Sequence, residues 1–243
     1  MIFISTHAGK RHSISEDAVL VVSEVIFETS AELPMPEDGF VCIADGVGGN
    51  RGGDQAAQFV LKAMSEVVVD TDEDLKNNLR EINERLISTA RAEGVAPDMA
   101  ATLTGFFFHD NLCRLVHIGN TRAYVRQGKY LKQITSDHTT YNWLLSSGQL
   151  DSAERCNKSE ITNCFGGNNP ALLSKLYITE CQRFSLALLT SDGVHEYVDL
   201  DSLEEIVSGE GSLGDKCEEI IQKAIKSGSE DDLTVVIICP SEE

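Results

Sequence analysis

Ile43–Gly53 reads IADGVGGNRGG, an apolar run that stops on Asp45 and then places five glycines in eight residues. A tight turn, a phosphate cradle or a metal site would each produce such a stretch. The flanks narrow the choice. Upstream, Gly39–Ala44 has the apolar density of a strand, which would end on Asp45. Downstream, Ala56, Val60, Ala63, Met64 and Val67 share one face of a helix over Asp54–Val69. Leu75, Leu79, Ile82, Leu86 and Ala90 form a second stripe along Asp74–Ala92. Two long one-faced helices need something flat and apolar to cover, and a sheet is the obvious partner.

The rest of the chain supplies the strands. Ile2–Thr6 and Ala18–Phe27 read as strands joined by the loop HAGKRHSISED, and Glu28–Asp38, with Pro34 and Pro36, reads as a loop. Short strands follow at Ala101–Phe108, Cys113–Ile118, Arg122–Arg126 and Tyr130–Ile134, with RQGK turning between the last two. Thr139–Gly148 and Ser152–Cys156 look helical within a polar excursion to about Lys175. Leu176–Ile178, Phe184–Thr190 and Leu233–Cys239 read as strands, and Leu203–Val207 and Leu213–Lys226 as helices. Strands in runs and helices in pairs do not make a doubly wound sheet. They predict an α+β chain, a four-layer α-β-β-α sandwich with two central antiparallel sheets flanked by helix pairs.

Composition limits the function. The 243 residues, 42% of them hydrophobic, suit a globular chain, and no linker divides it. The longest apolar runs, such as Val19–Val22 and Val235–Cys239, are far too short to span a bilayer, and the start turns polar too soon for a signal peptide. A cytoplasmic monomer is expected. Seven scattered cysteines, with no CxxC pair and no zinc spacing, agree with that; Cys42 and Cys239 lie in apolar runs and are expected as core thiols. With 20 basic and 39 acidic residues the net charge is −19, so nucleic acid and anionic membrane are poor partners.

Some of those acids sit at comparable places. Glu16-Asp17 precede the second strand, Asp45 ends the third, Asp192 ends a later one in LALLTSDGV, and Asp231-Asp232 stand before the last in SEDDLTVVII. Any one of them alone reads as a turn residue. Repeated at four strand ends, they can converge on hard divalent cations, which prefer oxygen ligands.

The segments RHSISEDA, ADGVGGNRGG, MAATLTGFFF, LVHIGNTRAYV, LKQITSDHT, ALLTSDGV and SEDDLTVVII, in that order from about Gly9 to Ile238, resemble the metal-dependent protein Ser/Thr phosphatases of type 2C (the PPM family), bacterial members in particular. The resemblance implies one domain over 1–243 with a flap excursion at about 139–175. It implies two Mn²⁺ or Mg²⁺ ions, with Asp45 shared between them. Asp192 and Asp231 would complete one ion's shell; Glu16 and the carbonyl of Gly46 would serve the other. Asp17 would orient a water. That water, activated by both ions, would attack phosphoserine or phosphothreonine on a protein in line, without a phosphoenzyme. The partners implied are phosphoproteins and a cognate bacterial Ser/Thr kinase whose action the enzyme reverses.

The chain departs from the family pattern at several points. Where the family has a phosphate-gripping arginine this sequence has His12, with Arg11 one step earlier; Arg11, His12 or neither contacts the phosphate. Val47 follows the DG, where many eukaryotic relatives have histidine. Asn120, in GNTR, replaces an acid associated with a third, weakly held metal, which is expected to bind weakly here or not at all. Asp232 replaces an asparagine, so either Asp231 or Asp232 could face the metal, with register favouring Asp231. His138 reads as ordering the hairpin exit, with no chemical role. The competing reading is a low-activity or inactive binding module on the same fold; intact Glu16, Asp45, Asp192 and Asp231 weigh against it. A kinase-like or nucleotide-binding loop is a poor reading, since no GK[ST] and no lysine stand near the glycines.

Overall fold

The structure is a computed structural model, and it describes residues 1–47, 52–94, 96–110 and 112–240. In chain order the elements are β1 (Ile2–His7), β2 (Asp17–Val21), β3 (Glu24–Ile26), β4 (Ser30–Leu33), β5 (Gly39–Val47), α1 (Gly53–Ser65), α2 (Asp72–Glu93), β6 (Ala100–Ala101), β7 (Leu103–His109), β8 (Leu112–Ile118), β9 (Arg122–Gln127) and β10 (Tyr130–Gln133). Then come α3 (Thr140–Ser146), α4 (Leu150–Ala153), β11 (Phe165–Gly166), a 3₁₀ turn at Pro170–Leu173, β12 (Tyr177–Cys181), β13 (Ala187–Thr190), α5 (Asp192–His195), α6 (Leu200–Ser208), α7 (Leu213–Lys226) and β14 (Leu233–Ile238).

Two sheets result, antiparallel throughout the described residues. One runs β10-β9-β13-β14-β1-β4; the other runs β11-β6-β5-β7-β8-β12, with β2 paired to β5 and β3 to β2. Helices α1 and α2 cover the larger sheet, and α6 and α7 cover the smaller one. The expected four-layer α-β-β-α sandwich is therefore the observed architecture.

Side chains alternate across a strand, so a sheet buried on both faces feeds two apolar layers. On β5, Cys42 and Ala44 pack with Leu61, Met64 and Leu79 under the helices. Val41 and Ile43 point the other way, into the seam between the sheets, with Ile4, Val19, Leu189 and Val236. Leu188, Val235 and Ile237 turn outward against Val207, Ile220 and Ile221 of the second helix layer. This period places Asp17 and Asp45 at the mouth of the seam, on the faces already used by Val19 and Ile43. No helix among the described residues is long and apolar enough to cross a membrane.

Several expected elements are corrected. Ala18–Phe27 is a hairpin broken at Val22, whose φ of 58° makes a turn without glycine or asparagine to announce it. Glu28–Asp38 contains β4, an edge strand that pairs Ile2–Ser5 and stops before Pro34. Phe184–Thr190 begins its pairing only at Ala187, and Asp192 starts the short helix α5, with Thr190 the last strand residue. Asp45 does not end its strand, because β5 continues to Val47. Cys42 is a core thiol as expected, whereas Cys239 lies past the end of β14 and is only half-buried.

Candidate metal and phosphate site

The site is assembled where β2 meets β5. Asp17 and Asp45 are register partners. Gly46 donates its backbone N–H to the Glu16 carbonyl at 3.0 Å, which makes Asp17–Asp45 the adjacent, non-hydrogen-bonded pair, whose side chains lie closer together. Thr102, between β6 and β7, fixes Asp45 from the other side. Its hydroxyl accepts from the Asp45 N–H at 3.0 Å and its N–H donates to the Asp45 carbonyl at 2.8 Å.

The glycines serve close packing here. Gly46 has ordinary strand backbone; a Cβ on it would lie 2.4 Å from the Gly53 backbone. A Cβ on Gly53 would lie 2.5 Å from the Glu16 carboxyl carbon, so the start of α1 leaves room for that carboxylate. Gly52 takes the left-handed φ of 104° that launches the helix. Of the quoted stretch, Gly48, Gly49, Asn50 and Arg51 lie outside the described residues.

The other sheet contributes from the residues just after β13 and just before β14. Asp192 accepts from Asn120 Nδ2 at 2.9 Å. Asp231 accepts from Arg11 Nη1 at 2.8 Å, with the arginine side chain 53% exposed at the rim. Asp232 faces a different task. Its Oδ1 accepts from the Gly9 N–H at 2.8 Å, and its Oδ2 accepts from the Glu16 N–H at 2.8 Å and pairs with His12 Nδ1 at 2.9 Å. That carboxylate is fully engaged in holding the 9–16 loop. Gly9 is required there too, since a Cβ would lie 2.3 Å from the Asp231 carbonyl.

Electrostatically the cluster is strained. Burial raises Asp45 well above the usual carboxylate range, and the charges of Asp192, Asp17, Asp231 and Asp232 push the same way. Burial raises Asp17 likewise; hydrogen bonds from Ser191 and Thr234 oppose this, but Asp17 Oδ2 has no partner. Asp192 is pushed up to about 6, by burial first and then by Asp231 and Glu196, against the pull of the Asn120 amide and the Gly193 N–H. Glu16 is raised by burial, with His12 lowering it and Asp232, Asp54 and Asp231 raising it. His12 moves up although burial works against its charge, because Asp232, Glu16 and Asp231 outweigh that. Two buried side-chain polar atoms among the described residues lack a partner, Asp17 Oδ2 and Asn120 Oδ1, and both belong to this cluster. Acids that repel one another, with oxygens left unmatched, suit bound cations.

Asp45 thus feels the charges of Asp17, Asp192 and Asp231, Glu16 feels that of Asp231, and Asn120 bonds Asp192. Among the described residues, the ligand atoms at this site that lie within 4.8 Å of one another are those of His12, Asp231 and Asp232. Sequence reasoning missed Thr102, Ser191 and Thr234, which position or neighbour the acids. Thr234 is bonded to Thr6 across β1 and β14 at 2.9 Å; it lies two residues past Asp232, and that alternation was the available signal. His138 orders the exit of the hairpin, as expected: its Nδ1 accepts from Gly119 N–H and Asn163 Nδ2, both at 3.1 Å. The excursion over 139–175 returns to the larger sheet, where Phe165–Gly166 pair with Ala100–Ala101.

A two-sheet sandwich with carboxylates from both sheets gathered at the mouth of its seam is the layout of a metal-assisted hydrolase. Residues 35–208 match the family model of protein phosphatase 2C, and the chain belongs to that family. It is 26% identical over 225 residues to the Serine/threonine phosphatase stp of Listeria monocytogenes, covering 88% of this chain and 87% of that one. A crystal structure of the Mycobacterium tuberculosis serine/threonine phosphatase PstP/Ppp superposes with a TM-score of 0.81 at 23% identity, over 100% of this chain and 99% of that one. The catalytic domain of PstP in complex with 2 manganese ions superposes at 0.75 and 22% identity, over 98% of each chain.

Proposed function

We propose that this chain is a metal-dependent phosphoprotein phosphatase that hydrolyses phosphoserine and phosphothreonine on proteins, reversing the action of a bacterial Ser/Thr kinase. The observation that carries this is the seam-mouth cluster, in which Asp17, Asp45 and Asp192 are all driven toward protonation and Asp17 Oδ2 is unmatched. Two Mn²⁺ or Mg²⁺ ions, when bound, would supply activation of water and neutralisation of phosphate charge. Glu16, Asp45, Asp192, Asp231 and the Gly46 carbonyl would hold them, with Asp45 common to both.

Asp231 is taken as the ligand of its pair by register: it accepts from its neighbour's N–H and from the rim residue Arg11, whereas Asp232 accepts from Gly9, Glu16 and His12 and holds the loop. Asp17 keeps an open oxygen that would accept a hydrogen bond from a water and orient it. Arg11 stands at the rim, bonded to Asp231, where its guanidinium can exchange that carboxylate for a substrate phosphate. His12 is committed to Asp232 and serves the loop. The Asn120 amide already donates to Asp192, so a third ion is weakly held or absent. The chain acts as one monomeric catalytic domain, with 139–175 as the flap.

The test is hydrolysis of p-nitrophenyl phosphate and of phosphoserine and phosphothreonine peptides with Mn²⁺, Mg²⁺ or EDTA. Turnover should need a divalent ion. Equal rates in EDTA, or no turnover with any metal and any substrate, would reject the proposal.

A further inference from the structure

Cys113 and Cys181 are 68 positions apart in sequence but directly opposite one another in the β8–β12 ladder. Residues facing each other across an antiparallel pair project to the same side, with Cβ atoms ~4.5–5.5 Å apart, a small adjustment from the separation a disulfide requires. Both are free thiols, half-buried, and pack against the seam layer beside Phe184 and Val125. Cys181 also lines a groove of ≈ 490 Å³ together with Leu115, Lys132, Ile134 and Phe184, so small molecules can reach it. Cys113 does not line that groove.

We propose that Cys113 and Cys181 form a reversible disulfide on exposure to hydrogen peroxide, a modification site that staples the edge strand β12 to β8. The thiols already interact: Cys113 donates to Cys181, which lowers the Cys181 pKa against the opposing effect of burial and raises that of Cys113. Cys181, the thiol of the pair that lines the groove, is the attacking sulfur. Its thiolate attacks one peroxide oxygen, the O–O bond breaks, and the leaving hydroxide takes a proton to become water. The sulfenic acid left on Cys181 is attacked by the Cys113 sulfur. The S–S bond forms, the S–O bond breaks, and hydroxide departs with the Cys113 proton as a second water. Two thiols lose two electrons and one peroxide becomes two waters.

The bond closes a loop containing β9, β10 and the whole 139–175 excursion. It lies at the far end of β8 from Gly119-Asn120, about 17 Å from Ile118 at ~3.4 Å per residue. The acid cluster is therefore not a partner in the reaction, and the inference stands independently of the phosphatase reading.

The experiment treats the full chain with limiting hydrogen peroxide in EDTA, then alkylates under denaturing conditions and maps peptides without reduction. Alkylatable thiols should fall from the seven in the sequence by two. One cross-linked peptide pair should join Cys113 to Cys181, and dithiothreitol should restore the original number. In Cys113→Ser, dimedone should label Cys181 and no disulfide should form. An undiminished thiol number, over-oxidation without a cross-link, or a link between other cysteines in the wild-type chain would overturn the proposal, whether or not the variants fold.

Discussion

Two buried polar regions lie within a few residues of each other, and they are built on opposite principles. At the seam mouth, Asp17, Asp45 and Asp192 crowd together, and two oxygens have no partner. Beside it, the His117 and His138 rings lie 4.7 Å apart and tilted, within a network of matched hydrogen bonds. His117 Nε2 donates to the Ser136 carbonyl at 3.0 Å, and its Nδ1 accepts from the Thr104 hydroxyl at 2.8 Å. Asn163 Nδ2 donates to His138 and to the Lys175 carbonyl at 2.6 Å, and Asn163 Oδ1 accepts from the Lys175 N–H at 3.2 Å. A closed network stabilises by itself; an open one of like charge awaits a ligand. The first is scaffold and the second is site.

The sharpest way to break this contrast is Asp45→Asn. It removes the carboxylate proposed to serve both ions, and kcat/KM with Mn²⁺ should fall at least ~10³-fold, about 4 kcal/mol of transition-state stabilisation. The same change relieves repulsion, so the metal-free variant should melt higher than metal-free wild type. A variant that keeps its activity, or melts lower without metal, would place Asp45 in the scaffold class.

Adding the ligand should also separate the regions. Mn²⁺ at 100 times its dissociation constant stabilises by about 2.7 kcal/mol per site, a rise of roughly 5–10 °C for a chain of this size. Hydrogen exchange should slow in β2 and β5 more than around His117. An unchanged melting temperature would mean that the cluster does not bind the ion.

Truncating the closed network tests the other side. His138→Ala leaves Gly119 N–H and Asn163 Nδ2 each without that acceptor, which should destabilise the fold by about 1–3 kcal/mol with or without metal. If the loss vanished when Mn²⁺ was added, His138 would belong with the ligand-dependent groups.

These contrasts also explain what the sequence disclosed. The strand alternation that buries Val41 and Ile43 also carries Asp45, so fold and main acids were legible together. Legibility failed where long-range pairing decides. β4 forms only because β1 lies beside it, and the Val22 turn has no glycine to mark it. Sequence could not show that Asp232 is saturated by Gly9, Glu16 and His12, because those donors are brought from over 200 residues away. A separation of 68 positions likewise hid the Cys113–Cys181 pair.

The two regions should answer pH with opposite signs. Asp192 has its pKa raised from 3.8 to about 6, so the folded state binds more protons and the metal-free cluster gains stability as pH falls from 6 toward 4. His117 and His138 are lowered from 6.5 to about 4 by burial, with the Ser136 carbonyl opposing this for His117 and the His117 charge adding to it for His138. Their contribution is complete above 6.5 and is lost as pH falls toward 4. Each group is worth at most about 1.4 kcal/mol per pH unit. The melting-temperature gap between Mn²⁺-bound and metal-free protein should therefore narrow from pH 7 to pH 5. A constant gap would show that the acids are not protonated in the metal-free fold.

The smallest expected effect is the most diagnostic, because it lies on the boundary between the two regions. Asn120 leads toward the closed network through Gly119, and its amide donates into the open one at Asp192. Asn120→Asp turns a donor that lowers the Asp192 pKa into a like charge. Without metal this should cost about 1 kcal/mol, in the range for losing one intramolecular hydrogen bond. With metal the added carboxylate becomes a further oxygen ligand, so the variant should gain more from Mn²⁺ than wild type does. Titrating melting temperature against Mn²⁺ reads both effects: the variant should start lower and rise further, by about 2–4 °C for each kcal/mol. Parallel curves would place Asn120 in the scaffold and leave the acids alone as the metal-responsive part of the molecule.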